Sequence, residues 1–214
     1  MIHEPKTFAD FMPTMPKLHN LALAVKNRTI PKHLLISGDG GLGKSVLAKL
    51  IAVGINCEAE SPPCGICDLC KENWNISFDI RHVDGFGFVP KRDLSSIVDF
   101  LCQVPMRLHT RVLILDNADY LDPNTQHRLI NIIDQANAEV ILCARKIEYI
   151  TPRLRTRLFQ IELSRLDLDS TLYWTTRLLE RNTEIDPFPI AVAANGIPEN
   201  IVKLIEIKRL GFEG

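Results

Sequence analysis

Gly38-Asp39-Gly40-Gly41-Leu42-Gly43-Lys44-Ser45 matches the pattern G-x-x-x-x-G-K-[ST] at every fixed position. The octapeptide directly follows an apolar run, Leu34-Leu35-Ile36, and leads into a stretch of helical character from Val46 to Val53. Strand, glycine-rich loop and helix, in that order, are the context in which such a loop holds phosphate. The glycines let successive backbone N–H groups turn inward around phosphate oxygens, and the helix that follows points its positive end at the same place. Lys44 would reach the β- and γ-phosphates, and Ser45 would place its hydroxyl on Mg²⁺. The bland alternative is a glycine-rich turn that opens a helix. The flanking elements favour a nucleoside triphosphate site made by residues Gly38, Asp39, Gly40, Gly41, Leu42, Gly43, Lys44 and Ser45.

Working outward, Leu18, Leu21, Ala22 and Val25 recur at helical spacing before the first strand. Asp79 to Asp84 alternates as a second strand, and Leu94, Ile97, Val98, Leu101 and Cys102 mark an amphipathic helix. Val112 to Leu115 reads as a central parallel strand ending in Asp116. Asp122-Pro123 is a helix start, with Leu129, Ile130, Ile132 and Ile133 as its apolar side. Val140 to Cys143 and Phe159 to Leu163 supply a fourth and a fifth strand. Strands alternating with helices predict an α/β domain over 1–163 with a five-stranded, mainly parallel sheet. After it the pattern changes to three short helices, predicting a small helical lid over 164–214.

Asp116 is a second nucleotide signal, because an aspartate at the end of an apolar strand holds Mg²⁺ or its water ligands in phosphate-loop ATPases. Alone it is weak; about 70 residues after a clean phosphate loop it is strong. Hydrolytic versions carry Glu next, to polarise the attacking water, whereas this chain carries Asn117. An amide orients a water but cannot accept its proton, which counts against hydrolysis by this chain.

Cys57, Cys64, Cys67 and Cys70 form a third signal, Cys-x6-Cys-x2-Cys-x2-Cys. Four thiolates close a tetrahedral Zn²⁺ site and leave no open coordination position, so the expected metal is structural. Free buried cysteines are the plainer reading of such residues. The clustering and the absence of a secretory signal favour metal ligation in a reducing cytoplasm. Cys102 and Cys143 lie in apolar runs and read as core residues.

Composition adds bounds. The 214 residues are 46% hydrophobic and 24% charged, ordinary for a globular chain. A formal net charge of −1 advertises no nucleic-acid binding, so any DNA contact would come from a local patch or through a partner. No apolar run approaches the roughly 18 residues of a membrane span. The run Arg153-Leu154-Arg155-Thr156-Arg157 is either a solvated face or a source of an arginine acting on a neighbouring subunit's γ-phosphate.

Together these features resemble the AAA+ subunits of the bacterial DNA polymerase III clamp loader, the gamma/tau and delta-prime family, over nearly the whole chain. The cysteine module inserted after the phosphate-loop helix is peculiar to that group. Asp116-Asn117-Ala118-Asp119 stands at the family's Asp-Glu-Ala-Asp/His, and Leu129-Ile130-Asn131-Ile132-Ile133-Asp134 resembles its Leu-Leu-Lys-Thr-Leu-Glu segment. Thr156-Arg157-Leu158 looks like its Ser-Arg-Cys motif, which makes Arg157 the candidate arginine finger. The departures are Asn117, Thr156 and Leu158 on either side of the kept Arg157, and a first cysteine gap of six residues where the family more often has eight. Two more, Ala144-Arg145 at the sensor-1 position and Ile197-Pro198-Glu199 where a sensor-2 arginine is expected, resemble delta-prime. The chain also ends after the three helices, so the resemblance implies a member without the family's helical collar.

The resemblance implies a delta-prime-like subunit that binds ATP, Mg²⁺ and Zn²⁺ and hydrolyses ATP slowly or not at all. It would work in a hetero-oligomer with other clamp-loader subunits and a sliding clamp, and reach primer–template DNA through the complex, with no membrane. Two alternatives stand beside it: a stand-alone AAA+ ATPase of the helicase-loader type, and a structural adaptor with a vestigial nucleotide site.

Overall fold

The computed structural model describes residues 5–11, 16–71, 78–179 and 185–210. Chain contacts divide them into two compact units, Pro5–Gly38 with Lys44–Glu162, and Asp39–Gly43 with the chain from Leu163 onward.

The first unit is built on a sheet of five strands, β1 (His33–Ser37), β2 (Ile80–Asp84), β3 (Val112–Asp116), β4 (Glu139–Ala144) and β5 (Phe159–Glu162). Their order is β2-β3-β4-β1-β5, and every pairing is parallel. The apolar runs of β1, β3 and β4 take the central places because their side chains are covered on both faces. Leu35, Leu113, Leu115, Val140 and Leu142 face one layer, formed by α4 (Pro90–Cys102), α5 (Pro123–Gln135) and the short α6 (Pro152–Arg155). Residues of the other parity, Leu34, Ile36, Ile114 and Ile141, point to the opposite face, where α2 (Lys44–Asn56) lies against β1, β3 and β4 and α1 (Pro16–Lys26) packs on α2. Each such fully buried aliphatic side chain contributes about 1.5–3 kcal/mol.

Local chemistry fixes the element ends. Asp122 caps α5, its carboxylate accepting from the N–H groups of Asn124 and Thr125, and Pro123 follows at the first helical position. Two expectations fail on α4. Val98 and Cys102 are exposed, and the buried side consists of Leu94, Ile97, Phe100 and Leu101. The apolar stripe is narrower than the sequence pattern, because the sheet covers only one side of the helix. Cys143, on β4, is fully buried as expected.

The second unit contains α7 (Leu168–Leu179), α8 (Pro187–Ala194) and α9 (Pro198–Arg209). Trp174, Leu179, Ile190, Ala194, Ile201 and Ile205 form its core. Residues Asp39–Gly43 belong to this unit: the Glu199 N–H donates to the Gly41 carbonyl (3.2 Å), and Arg165 Nε bonds Asp39 Oδ2 at 3.0 Å.

Candidate nucleotide and metal sites

The chain leaves β1 at Ser37 and turns at once. Gly38, Gly41 and Gly43 have φ of 142°, 77° and 83°, a backbone that side chains bearing a Cβ rarely adopt. Helix α2 then begins at Lys44, two residues before the helical stretch read from sequence, so Lys44 and Ser45 occupy its first turn. Lys44 is 8% exposed, and its ammonium donates to the Gly38 carbonyl at 2.8 Å. Burial pulls that ammonium below the ordinary lysine value.

Asp116 ends β3, two strands from β1, and the Ser45 hydroxyl donates to its Oδ2. His82 Nε2 of β2 stands 3.7 Å from the same oxygen, and the Asn117 N–H donates to Oδ1 (2.9 Å). Burial pushes the Asp116 carboxyl up, but these donors outweigh it and hold the group below the usual carboxylate value. An ionised aspartate against a helix-first-turn hydroxyl is a donor set that fits a divalent cation with oxygen ligands.

Asn117 adopts the left-handed conformation, φ 50° and ψ 40°, and its side-chain amide donates to Asp84 Oδ1 at 2.9 Å. After β4, the Arg145 N–H and guanidinium both reach the Asp119 carboxylate, and the guanidinium lies over the Tyr120 ring (4.9 Å) and bonds its hydroxyl. His82 and Asp84 carry no local signal in the sequence, and the pairing of Asp119 with Arg145 is not legible there either. Only the pairing of β2, β3 and β4 brings them beside Asp116.

Arg157 lies elsewhere. It precedes β5 by two residues, and Phe159 pairs with Leu34, so Arg157 sits at the edge of the sheet where the strands begin, not where the phosphate loop leaves β1. Its Nε bonds Asp134 Oδ1 at 2.9 Å, and both side chains are half exposed.

The Sγ atoms of Cys57, Cys64, Cys67 and Cys70 all lie within 4.8 Å of one another, with Cys64 and Cys70 3.9 Å apart. Tetrahedral coordination at a zinc–sulfur distance of about 2.3 Å separates sulfurs by about 3.8 Å, so the four thiols fit such an ion. The N–H groups of Ile66 and Cys67 pull the Cys64 thiol down to about 6, while burial pushes Cys57 and Cys70 up. The short α3 (Asp68–Lys71) carries Cys70 back toward Cys57 at the end of α2. Among the described residues no helix is long and apolar enough to cross a membrane.

The family model for "DNA polymerase III, delta subunit" matches residues 15–167. Similar curated proteins include the DNA polymerase III subunit tau of Salmonella typhimurium, 27% identical over 82% of this chain and 28% of the relative. The DNA polymerase III subunit gamma of Buchnera aphidicola subsp. Schizaphis graminum is 24% identical over 80% of this chain and 50% of the relative. The chain thus spans half or less of these relatives. Among solved structures, the Thermotoga maritima RuvB Holliday junction branch migration motor superposes with a TM-score of 0.68 at 21% identity, covering 96% of this chain and 65% of that one. That likeness carries the fold alone, and the family match carries the kinship: the chain belongs to the DNA polymerase III delta-subunit family of clamp-loader proteins.

Proposed function

We propose that this protein is a nucleotide-binding clamp-loader subunit that binds ATP through Gly38–Ser45 and helps place a sliding clamp on primer–template DNA. The observation that carries the reading is the Ser45–Asp116 hydrogen bond, which joins the phosphate loop's helix to the acidic end of β3 in a chain of this family. Ser45 and Asp116 would hold Mg²⁺, which neutralises phosphate charge when bound, while Lys44 engages the β- and γ-phosphates. The four cysteines would hold Zn²⁺ as a structural ion.

Turnover by this subunit is slow in this reading. Asn117 cannot take a proton, and Glu199 brings a carboxylate to the helix start where the resemblance leads one to expect an arginine. The three C-terminal helices would act as the lid. Arg157, presented by Asp134 at the far edge of the sheet from its own phosphate loop, would serve the nucleotide of an adjacent subunit in a hetero-oligomer.

Equilibrium binding of labelled ATP tests the core of the proposal. Lys44→Ala is expected to weaken binding on the order of 100-fold, the scale of a lost charge-assisted contact to phosphate. The adaptor reading is favoured by Asn117, Arg145 and Glu199 standing at three positions associated with the γ-phosphate. Failure of the unmodified protein to bind ATP would leave only that reading. For Arg157, the ATPase of the assembled complex with clamp and primed DNA is the measurement, and an Arg157→Ala complex of undiminished activity would remove the finger role.

A further inference from the structure

We infer that Asp84 is the carboxylate that takes the proton from the attacking water when this site hydrolyses ATP. The inference rests on the ATP-binding reading above and deepens it. It starts from a chemical vacancy: the position after Asp116 carries an amide, and an amide is no base. The parallel pairing of β2 with β3 sets Asp84 directly opposite Asp116, so the two carboxylates leave the same edge and the same face of the sheet. Asn117 Nδ2 then donates to Asp84 Oδ1 at 2.9 Å. Amide and carboxylate are both present, with the carboxylate one strand over.

The backbone is shaped to keep this contact. A Cβ on Gly85 would stand 2.3 Å from the Asn117 carbonyl oxygen, closer than any side chain permits, so a glycine lets the end of β2 lie against residue 117. The Gly85 N–H donates to the Asp116 carbonyl at 2.8 Å and holds the approach. Asn117 meets it from the other side with a left-handed backbone, a cost that non-glycine residues bear at sites where geometry matters more than strain.

The neighbouring acids are already engaged. Asp116 is bound to Ser45 and lies beside His82, and Asp119 is held by Arg145. Among the described residues Asp84 is the member of this trio with neither an arginine nor a histidine against its carboxylate. Its two hydrogen bonds, from Asn117 Nδ2 and the Phe86 N–H, both fall on Oδ1, and the side chain is exposed to water. Oδ2 is therefore placed to accept a proton. In the step itself the water oxygen bonds to the γ-phosphorus and its proton passes to Asp84. The bond from that phosphorus to the β,γ-bridging oxygen breaks, and ADP leaves with the electron pair. The proton then returns to solvent.

Asp84→Asn separates chemistry from architecture, because its amide oxygen still accepts from the Phe86 N–H while the base is gone. Single-turnover hydrolysis of radiolabelled ATP is measured for the full chain, alone and in the assembly recovered with co-expressed partners. Equilibrium binding of ATP and of a non-hydrolysable analogue is measured in parallel. Asp84→Asn is expected to slow hydrolysis on the order of 100-fold, within the range for loss of a general base. The dissociation constants should move by less than about threefold, since binding does not draw on this group. The exchange variant Asp84→Asn/Asn117→Asp, which returns a carboxylate to the site from β3, should recover about tenfold of the loss. Hydrolysis by Asp84→Asn at the unmodified rate overturns the inference. So does an unmodified protein that binds ATP yet leaves it intact in both settings, which spares the binding proposal; absence of ATP binding strikes both.

Discussion

The Ser45 hydroxyl donates to Asp116 Oδ2 across 71 positions of the chain. This bond pins the first turn of α2 to the C-terminal end of β3, and it is made by the two groups that the cation would share. Ser45→Ala removes one ligand and one donor together. Magnesium-dependent ATP binding should weaken about tenfold, the worth of one ordinary to charge-assisted hydrogen bond. Binding measured without magnesium should change far less. Calorimetric titration in the presence and absence of the ion reads both.

Asp79 and Arg111 form a buried pair beneath the loop that joins α4 to β3. The Asp79 carboxylate accepts from the N–H groups of Met106, Arg107 and Leu108 at 2.7–3.0 Å and faces Arg111 Nε at 3.3 Å. Arg111 in turn donates to the carbonyls of Phe100 and Val104 and to Gln103. Removing one partner of such a pair leaves an uncompensated buried charge, and Asp79→Ala should cost about 3–5 kcal/mol in urea unfolding.

The same carboxylate makes stability depend on acid. Burial pushes Asp79 up, but its three backbone donors and Arg111 outweigh that and hold it below the usual carboxylate range. A depressed folded-state pKa contributes stability that is present above the unfolded value and fades as pH falls through the folded one. The gap in unfolding midpoint between the unmodified protein and Asp79→Asn should therefore be widest near neutrality. It should narrow as pH drops below the ordinary carboxylate range.

The cysteine cluster begins directly after α2, with Cys57 buried, so a bound ion should report on the stability of the domain. Purified protein should release about one zinc per chain when a thiol-blocking reagent is added in the presence of a chelating dye. Cys67→Ser or chelation should lower the melting temperature by about 10 °C, equivalent to a few kcal/mol for a chain of this size. Below the lowered melting temperature, ATP binding by the folded protein should change little, because Lys44, Ser45 and Asp116 bond to groups outside the four clustered cysteines. Inductively coupled mass spectrometry and calorimetric melting are the measurements.

Gln126 is 1% exposed and ties three segments together. Its amide donates to the carbonyls of Leu121 and Tyr149 and accepts from the Thr151 N–H, at 2.9, 2.8 and 2.7 Å. Gln126→Ala strands three buried backbone groups, and a loss of about 2–4 kcal/mol in chemical unfolding is expected.

Much of this was readable along the chain. The phosphate loop, the four cysteines, Asp116 and the capped start of α5 are local patterns, in which neighbouring residues carry the full signal. Strand and helix periods gave the five strands and their helices, because burial on one or both faces imposes those periods directly. The misread residues, Val98 and Cys102, lie at the margin of an amphipathic stripe, where only the neighbour's width settles what is covered.

What the amino-acid order determined by itself was the set of groups offered: a glycine-rich loop with Lys44 and Ser45, four clustered thiols, and an aspartate at the end of a strand. Tertiary structure alone decided the company each group keeps. Asp84 and Asn117 lie 33 positions apart in a chain whose local pattern gives no hint of contact. Parallel pairing of β2 with β3 sets them side by side, and a missing Cβ at Gly85 lets them touch. Register between strands depends on how whole faces pack, so such contacts are fixed only when the sheet closes on its core.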